Sequence, residues 1–444
     1  MIRGDRMFKK CIFTTITAVI SLSLAGCGSG GAGEGAKPGD TKASAPADGF
    51  DASKPVTLKI VDTGLVTDEE FQRFLVEPVK KKYPNITLEL IRQKYSVDRY
   101  ELLLAKGEKF DLLFEANLLF DDVISAKLAD NMEPMLKKHK IDLSKIEQVA
   151  LDSFKIASGG QYLSGVPFTR HFNVLYYNKD LFDKFGVAYP KDGLTWDETI
   201  ELARKVSRTS DGNVYRGLDP DHLFRVASSL GLAIVDAKTE KSAVLNEKWK
   251  QIYEMYKTIF AIPGYQEKFV SPGNYGEFTK GNVAMFAGIN LLPYISKVTD
   301  TLNWDMAAFP SFKEAPGIGH EFDGHGIVVT SISENKDAAY KVVEVLLSEE
   351  TQLDMSRNAK MPVLQEAKVK EEFGKNVGYL KGKNIQAIYK STPAKSHIST
   401  PYDSKARTAM NKYNTEVLKG AKDINTALRQ MDEEINKIIA EGKK

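Results

Sequence analysis

Apolar and polar positions alternate in short runs, and these runs are separated by longer segments whose apolar residues have helical spacing. In the first part of the chain the pattern predicts strands over 56–61, 85–91 and 110–114, and helices over 67–83 and 98–106. A succession of strand, helix, strand, helix and strand is typical of a parallel sheet whose strands are joined by helical crossovers.

The same alternation resumes after residue 160 and predicts a second α/β region. The strands predicted there are 172–177, 282–286, 305–309 and 326–330. The helices predicted there are 178–186, 195–206, about 219–231, 246–260 and 337–347, and the chain from about 364 is predicted to be mainly helical. Thr67-Asp-Glu-Glu70 and Thr195-Trp-Asp-Glu198 fit capping boxes that begin two helices. About 390 residues follow residue 54, which is too many for one ordinary core and predicts two domains.

The amino-terminal residues have the pattern of a targeting segment. Basic residues between positions 3 and 10 precede an apolar run over 12–24, which is too short for a membrane-spanning helix. The run ends in Leu24-Ala25-Gly26-Cys27, which resembles the lipobox of bacterial lipoproteins. In that class the cysteine is acylated, so the resemblance implies a signal peptide over 1–26 and a lipid anchor on Cys27.

The residues after this segment and the cysteine content agree with a secreted, lipid-anchored chain. Small and polar residues dominate 27–54, which predicts a flexible linker. Of the two cysteines, Cys11 falls within the segment that would be removed. Cys27 would then be the one cysteine left, which excludes an internal disulfide and a cysteine-based metal cluster.

Charge and motifs exclude several functional classes. The formal net charge is +2, and loss of 1–26, which carries four basic and one acidic side chains, would bring it near −1. This balance does not predict the basic surface of a nucleic-acid-binding protein. The sequence lacks the phosphate-binding motif G-x-x-x-x-G-K-[ST] and the nucleophile motif G-x-S-x-G. No cofactor is predicted.

Five stretches, taken in order, resemble the family 1 extracellular solute-binding proteins, the maltose-binding-protein-like receptors of ABC importers. The stretches are Gly165 to Phe168 with Leu175 to Phe182, Phe185 to Glu198, Phe278 to Gly288, Phe309-Pro310 with Gly326 to Val329, and Ser333 to Leu346 with Met361 to Val363. The resemblance covers essentially all of 55–440 and is specific to the family rather than to its ligand.

The resemblance implies an α/β, two-domain, type II periplasmic-binding-protein-like fold. Each domain is expected to be a mainly parallel sheet flanked by helices, with the ligand cleft at the hinge. The implied segments are 55–167 plus 326–360 for domain 1, 173–322 plus 364–444 for domain 2, and 168–172, 323–325 and 361–363 for the hinge crossovers. Gly324 and Gly326 are expected to absorb the dihedral change of hinge closure.

The same resemblance implies a function. The chain is expected to be the substrate-binding protein of an ABC transporter that captures a carbohydrate, either an oligosaccharide or an acidic sugar, and delivers it to the permease subunits. A monomer without enzymatic activity, anchored at the extracytoplasmic face of the cell membrane, is implied. Binding of a peptide, a polyamine or a metal chelate remains an alternative.

Candidate ligand-binding residues follow the predicted strands, because ligands of open α/β sheets bind beyond the carboxyl ends of strands. Sugars need polar partners for their hydroxyls and aromatic rings for their apolar faces. The candidates are Asp62, Thr63, Glu115, Asn117, Arg170, His171, Asn290, Trp304, Asp323 and His325. Asn290 stands near the place where the family often carries Trp, so the ring is expected from Trp304, or otherwise from Tyr95, Tyr162 or Tyr275.

Two enzymatic or metal-binding alternatives compete with this interpretation. A glycosidase would need two carboxylates at a defined separation, and Glu115 with Asp323 is the obvious pair. His320, Asp323 and His325 resemble a zinc motif, but the two histidines are five residues apart instead of four. We therefore predict no catalytic residue and no metal site. Asp219 and His222 are expected to cap a helix.

Overall fold

The computed structural model describes residues 49–96 and 98–443. The predicted signal peptide 1–26, the predicted lipidation site Cys27 and most of the predicted linker lie outside the described residues. The strands are β1 (Val56–Asp62), β2 (Ile86–Arg92), β3 (Leu112–Ala116), β4 (Val166–Arg170), β5 (Asn173–Asn178), β6 (Arg208–Ser210), β7 (Asn213–Asp219), β8 (Val235–Asp236), β9 (Lys241–Ser242), β10 (Val283–Ile289), β11 (Trp304–Ala308), β12 (Ile318–Glu321), β13 (Gly324–Val329) and β14 (Thr392–Ala394).

Helices cover both sheets. The α-helices are α1 (Asp68–Phe71), α2 (Glu77–Lys82), α3 (Arg99–Ala105), α4 (Phe120–Ser125), α5 (Glu133–Lys138), α6 (Gln148–Ile156), α7 (Lys179–Phe185), α8 (Trp196–Val206), α9 (Leu223–Ser228), α10 (Glu247–Phe260), α11 (Tyr275–Thr279), α12 (Leu292–Ile295), α13 (Lys336–Leu346), α14 (Glu349–Arg357), α15 (Ala367–Glu371), α16 (Asp403–Leu418) and α17 (Ile424–Gly442). A π-helical turn, Gln72–Val76, joins α1 to α2, and short 3₁₀ helices lie at Asn117–Leu119, Gly378–Leu380 and Ile385–Tyr389. Both predicted capping boxes are confirmed.

The first sheet has the strand order β2-β1-β3-β13-β4. β1 is parallel to β2 and to β3, whereas β13 is antiparallel to both of its neighbours, β3 and β4. Four strands therefore run in one direction, and β13, which comes late in the chain, runs against them. We call this sheet with its helices the first lobe.

The second sheet has the strand order β11-β5-β10-β7-β6. β5 is antiparallel to both neighbours, β10 is parallel to β7, and β6 forms a short hairpin with β7. Only the β10–β7 pair is parallel, so this sheet is mixed, and the prediction of a mainly parallel sheet is wrong for the second lobe because β5 and β6 each run against their neighbours. We call this sheet with its helices the second lobe.

Side chains of the second sheet alternate between two cores, as the period of a strand requires. On β5, Leu175 and Tyr177 pack into one core, beneath α8, α10 and α17. Val174 and Tyr176 pack into the other, against the segment from Phe373 to Ile388. The sheet is thus buried on both faces, which is typical of α/β proteins.

The chain passes between the lobes at neighbouring places. The backbone N–H of Arg170 donates to the carbonyl of Met361 at 3.1 Å, and the backbone N–H of His171 donates to the carbonyl of Asp323 at 2.7 Å. Residues 169–171 therefore lie between 322–324 and 361–362. We call these three segments together the crossing strip.

Two parts of the sequence prediction differ from the structure. The helix predicted over about 219–231 is wrong at its start: β7 runs to Asp219, and α9 begins only at Leu223. β7 was missed because its sequence mixes polar residues with Gly217, which lies against the backbone of α8 where no Cβ would fit. Phe50, assigned to the linker, is instead buried edge-to-face against Tyr83.

Within the described ranges, none of the helices combines the length and the apolar character that crossing a membrane requires.

Candidate functional site

A cavity of about 450 Å³ lies at the crossing strip, where loops of both lobes meet. The first lobe contributes the loop after β1, the end of β4 and the start of β13, and the second lobe contributes the loop after β10. The lining residues are Gly64, Leu65, Thr67, Glu70, Thr169, Arg170, His171, Asn290, Leu292, Pro293, His325, Asn358, Ala359, Lys360, Met361 and Tyr379. Its size is within the usual range for small-molecule sites.

Arg170 is the most deeply buried cation of this cavity, with a side chain that is only 7% exposed. One of its terminal nitrogens lies 3.3 Å from a carboxylate oxygen of Glu147. Its Nε is buried and has no hydrogen-bond partner among the described residues. A buried donor without a partner is costly, so Arg170 has a hydrogen bond to offer to a bound molecule.

His171 and His325 lie beside Arg170, with their rings edge-to-face and their centroids 5.1 Å apart. His325 lies on β13, opposite Thr169 in the register of β4. Burial lowers the pKa of both imidazoles below the usual value, which favours their neutral forms. The Nδ1 atom of His325 is buried and unpartnered within the described part of the chain.

Lys360 closes another side of the cavity and ties it to the loop after β1. Its Nζ lies 3.1 Å from Oε1 of Glu70 and donates to the carbonyl of Leu65 at 3.2 Å. The other carboxylate oxygen of Glu70 accepts from the backbone N–H of Thr67 in the capping box, at 2.9 Å. Glu70 is therefore held in place from two sides.

The second lobe adds a row of partly exposed rings beside this cavity, which we call the aromatic row: Phe224, His222, Tyr275 and Tyr294. The Phe224 and His222 rings stack 5.9 Å apart, His222 lies 6.4 Å from Tyr275, and Tyr275 lies 5.4 Å from Tyr294. Tyr294, which directly follows the cavity-lining Pro293, is 46% exposed. Such a row offers flat apolar surfaces with polar edges.

Asp219, at the end of β7, positions this row. Its carboxylate accepts hydrogen bonds from the backbone N–H groups of Gly273, at 2.8 Å, and Asn274, at 3.1 Å, directly before Tyr275. Burial raises the pKa of Asp219 to about 6. Neither Asp219 nor His222 makes the side-chain cap expected for α9.

Four of the ten predicted ligand residues, Arg170, His171, Asn290 and His325, line the cavity. Asn290 also caps the next turn, since its Oδ1 accepts from the backbone N–H of Leu292 at 2.9 Å. The other six predicted residues lie elsewhere, for the following reasons.

Asp62 holds the loop after β1 together instead of facing the cavity. It is fully buried, pairs with Arg92 and accepts hydrogen bonds from the backbone of Gly64 and Leu65. Thr63 precedes the cavity-lining Gly64 but is not itself part of the lining.

Glu115 is committed to the interior of the first lobe. It forms a fully buried ion pair with Arg99, accepts from the hydroxyl of Tyr100 at 2.7 Å and accepts from the N–H of Ala116 at 2.9 Å. Burial raises the pKa of its carboxyl group. The carboxylate has no free side for a ligand.

Asn117 and Asp323 secure the crossing strip. The Asn117 amide donates to the carbonyl of Phe322 at 3.0 Å and accepts from the N–H of Gly324 at 2.9 Å. Asp323 lies 2.6 Å from Arg225, whose guanidinium lowers the pKa of this carboxyl group against the effect of burial. Glu115 and Asp323, the pair that a glycosidase would need, are both absent from the cavity lining.

Trp304 packs into the core of the second lobe and is 2% exposed. The alternation along β11 sends it to the same face as Met306, where it contacts Tyr176 at 5.8 Å. Among the described residues, no group of three or more His, Cys, Asp or Glu side chains could hold a metal ion.

Sequence reasoning missed Lys360, which follows α14, and Tyr379, which lies on the 3₁₀ helix Gly378–Leu380. The rule about strand ends gives no signal at either place. It also missed Phe224 and Tyr294. Phe224 follows β7, so the rule about strand ends would have found it had β7 been predicted, whereas Tyr294 lies on α12, beyond the loop after β10, where that rule gives no signal.

Solved structures share this architecture. An ABC substrate-binding protein from Listeria monocytogenes, in complex with cycloalternan, matches with a TM-score of 0.69 and 19% identity, over 87% of this chain and 100% of that chain. A sugar transporter protein from Rhizobium etli, in an open conformation, matches with a TM-score of 0.68 and 22% identity, over 86% of this chain and 99% of that chain. The sugar-binding protein MalE from Xanthomonas citri matches with a TM-score of 0.68 and 17% identity, over 87% of this chain and 98% of that chain.

These proteins share the fold of the chain, so the predicted α/β fold class is confirmed. The sequence itself matches the family model of the bacterial extracellular solute-binding proteins over residues 64–353, which is more than half of the chain. With a fold of two α/β lobes, a cavity at their crossing strip and this match, the chain belongs to the bacterial extracellular solute-binding protein family.

Proposed function

We propose that this protein is the receptor of an ABC importer and that it captures a carbohydrate between its lobes. The observation that carries the proposal is the aromatic row beside a cavity at the crossing strip whose lining includes cationic, imidazole and amide side chains. Flat rings match the apolar faces of sugar rings, and the surrounding amide, imidazole and cationic groups match their hydroxyls. The structurally similar proteins described as sugar-binding, or solved with cycloalternan, support the same ligand class.

We propose capture by closure. We propose that the lobes act as the two domains expected from the sequence, 55–167 plus 326–360 and 173–322 plus 364–444, and that the crossing strip acts as the hinge. A ligand that contacts Arg170 in the first lobe and Tyr294 in the second favours the closed form, because it binds that form more tightly than the open one. The closed receptor then docks on the permease as a monomer.

A binding screen tests the proposal. Isothermal titration against mono- and oligosaccharides, short peptides, polyamines and divalent metals should give binding with sugars. The sugar should be recovered chemically unchanged, as expected of a receptor that is not an enzyme. Binding of peptides or polyamines alone would refute the carbohydrate assignment, and cleavage of the bound sugar would refute the receptor assignment.

Two tyrosine variants locate the site. Tyr294→Ala should weaken sugar binding by about 3- to 10-fold, the usual effect of losing one stacking ring. Tyr189→Ala is the matched control, because Tyr189 is also on the second lobe and is 36% exposed. Equal affinity of both variants would place the sugar elsewhere.

We also propose that Cys27 carries the lipid anchor that holds the protein at the extracytoplasmic face of the membrane, after removal of a signal peptide. The lipobox-like Leu24-Ala25-Gly26-Cys27 supports this. In the cell, labelled palmitate should be incorporated into the protein but not into its Cys27→Ser variant. Label in the variant would refute this site.

A further inference from the structure

Three cations at or near the cavity share two carboxylates. Arg170 and Lys360 line the cavity, and Lys370 contacts Glu147 from outside the lining, whereas the carboxylates are Glu70 and Glu147. Among these five described side chains, one positive charge is in excess.

The excess falls on Arg170. Oε1 of Glu147 is shared, since it lies 3.3 Å from Arg170 and 3.7 Å from Lys370. Both distances are longer than the 2.7–2.9 Å of a strong charge-assisted hydrogen bond. Because its Nε also has no partner in the described part of the chain, Arg170 is a buried cation with an incomplete set of anionic contacts there.

The neighbouring histidines add two groups whose protonation a bound anion would favour. His171 and His325 face each other, and the charged groups around them are Asp323, Arg225 and Lys360. Burial lowers the pKa of both rings, which favours their neutral forms in the free protein. An anion bound beside them would raise the pKa and draw in a proton.

A neutral sugar does not complete this arrangement. Its hydroxyls can accept the Nε hydrogen bond of Arg170, but closure over it would leave Arg170 with only the shared carboxylate of Glu147 as its counter-charge. Burying an uncompensated charge is far more costly than burying a paired one.

We infer that the captured carbohydrate carries a carboxylate, as uronic acid residues do, and that this carboxylate binds Arg170 and His325 at the crossing strip. The inference rests on the proposed function, because it specifies the sugar that this same site takes. The aromatic row stacks on the rest of the ligand.

The experiment compares each acid with its own methyl ester, which has the same skeleton but no charge. The probes are galacturonate di- and trisaccharides, mannuronate disaccharides and glucuronate-bearing xylo-oligosaccharides, and sugar sulfates and phosphates are titrated beside them. At least one acid should bind ten or more times as tightly as its ester, and more tightly at pH 5.5 than at pH 7.5. Arg170→Gln should abolish the preference for the acid, whereas Arg73→Gln, on the first-lobe surface, should retain it.

The outcomes separate the two proposals. Equal or tighter binding of esters and neutral sugars would overturn the inference and leave the carbohydrate receptor standing, and a preference for sulfated or phosphorylated sugars would overturn the carboxylate. No binding of any sugar would overturn both proposals. If Arg170→Gln does not fold, the ratio of the affinities for acid and ester in the unmodified protein decides whether the carboxylate is recognised. His325→Asn then tests the site, since it should remove the pH dependence of binding.

Discussion

The buried ion pair of Arg99 and Glu115 allows a quantitative test of the role that the structure gives to Glu115. Both side chains are 0% exposed, and Arg99 also contacts Asp122 at 2.6 Å and the carbonyl of Ser96 at 2.9 Å. Arg99→Met leaves a buried carboxylate without its counter-charge. Breaking such a pair from one side usually costs about 3–5 kcal/mol of unfolding free energy.

A second replacement should recover part of this loss. In Arg99→Met/Glu115→Gln the buried charge is gone, and the amide oxygen can still accept from the hydroxyl of Tyr100. We expect the double variant to be about 2 kcal/mol more stable than the single variant, since neutral replacement of both partners avoids the uncompensated charge.

The pH dependence has a defined sign. Burial already raises the pKa of Glu115 with Arg99 present, and loss of Arg99 should raise it further. The folded single variant then holds a proton that the unfolded chain releases near pH 4.3, so its stability increases as the pH falls. Its deficit relative to the unmodified protein should therefore shrink between pH 7 and pH 5.

Urea denaturation followed by far-UV circular dichroism at both pH values measures these differences. Arg204→Met, at an arginine whose side chain is 43% exposed, is the control and should change stability by about 0.5 kcal/mol or less. A loss below about 1 kcal/mol for Arg99→Met, or a double variant no more stable than the single one, would refute the structural role of Glu115.

Three further predictions concern the crossing strip and its surroundings. Asn117→Leu leaves two buried backbone groups unpaired and should lower the free energy of unfolding in urea by about 2–4 kcal/mol. Asn303→Leu, which removes an exposed hydrogen bond, is the control and should lower it by about 0.5 kcal/mol or less. Equal losses would contradict the role of Asn117 in securing the crossing strip. Gly326→Ala should lower the melting temperature by several degrees, since the new Cβ would clash with the ring of Phe154 in the core. An unchanged melting temperature would show that the packing around residue 326 can expand. Burial opposes protonation of His397, but the Glu321 carboxylate 2.7 Å away outweighs it and raises the pKa to about 9. The protonated ring therefore stabilises the folded protein by about 2–3 kcal/mol below pH 6.5, and this stabilisation is lost as the pH rises through 9. The unfolding free energy of His397→Gln should depend less on pH over that range than that of the unmodified protein.

Most elements of the fold could be predicted because their patterns are local. Apolar and polar residues alternate along β1, the middle of β5 is apolar, and capping residues mark the starts of α1 and α8. β7 escaped prediction because its identity as a strand comes from pairing with β10, which is distant in the sequence. The two core faces of β5 are likewise a result of tertiary packing.

The site was less predictable, because a polar residue after a strand can face a cleft or pair internally. Arg170 and Glu115 look alike by this criterion, yet one lines the cavity and the other pairs with Arg99. Asp323 finds its partner, Arg225, 98 residues away. No local pattern reveals such partners, and no strand precedes Lys360 to draw attention to it.

The crossing strip limits the number of ways in which the lobes can move. A single connecting segment would let one lobe swivel freely, but three segments, hydrogen-bonded side by side and clamped by Asn117, resist torsion and allow mainly one bending rotation. In the proposed capture by closure, each opening would return along the same path, so the two halves of the cavity would meet in one register. The orientational entropy of assembling the site is lost once, when the chain folds, and not again at every capture.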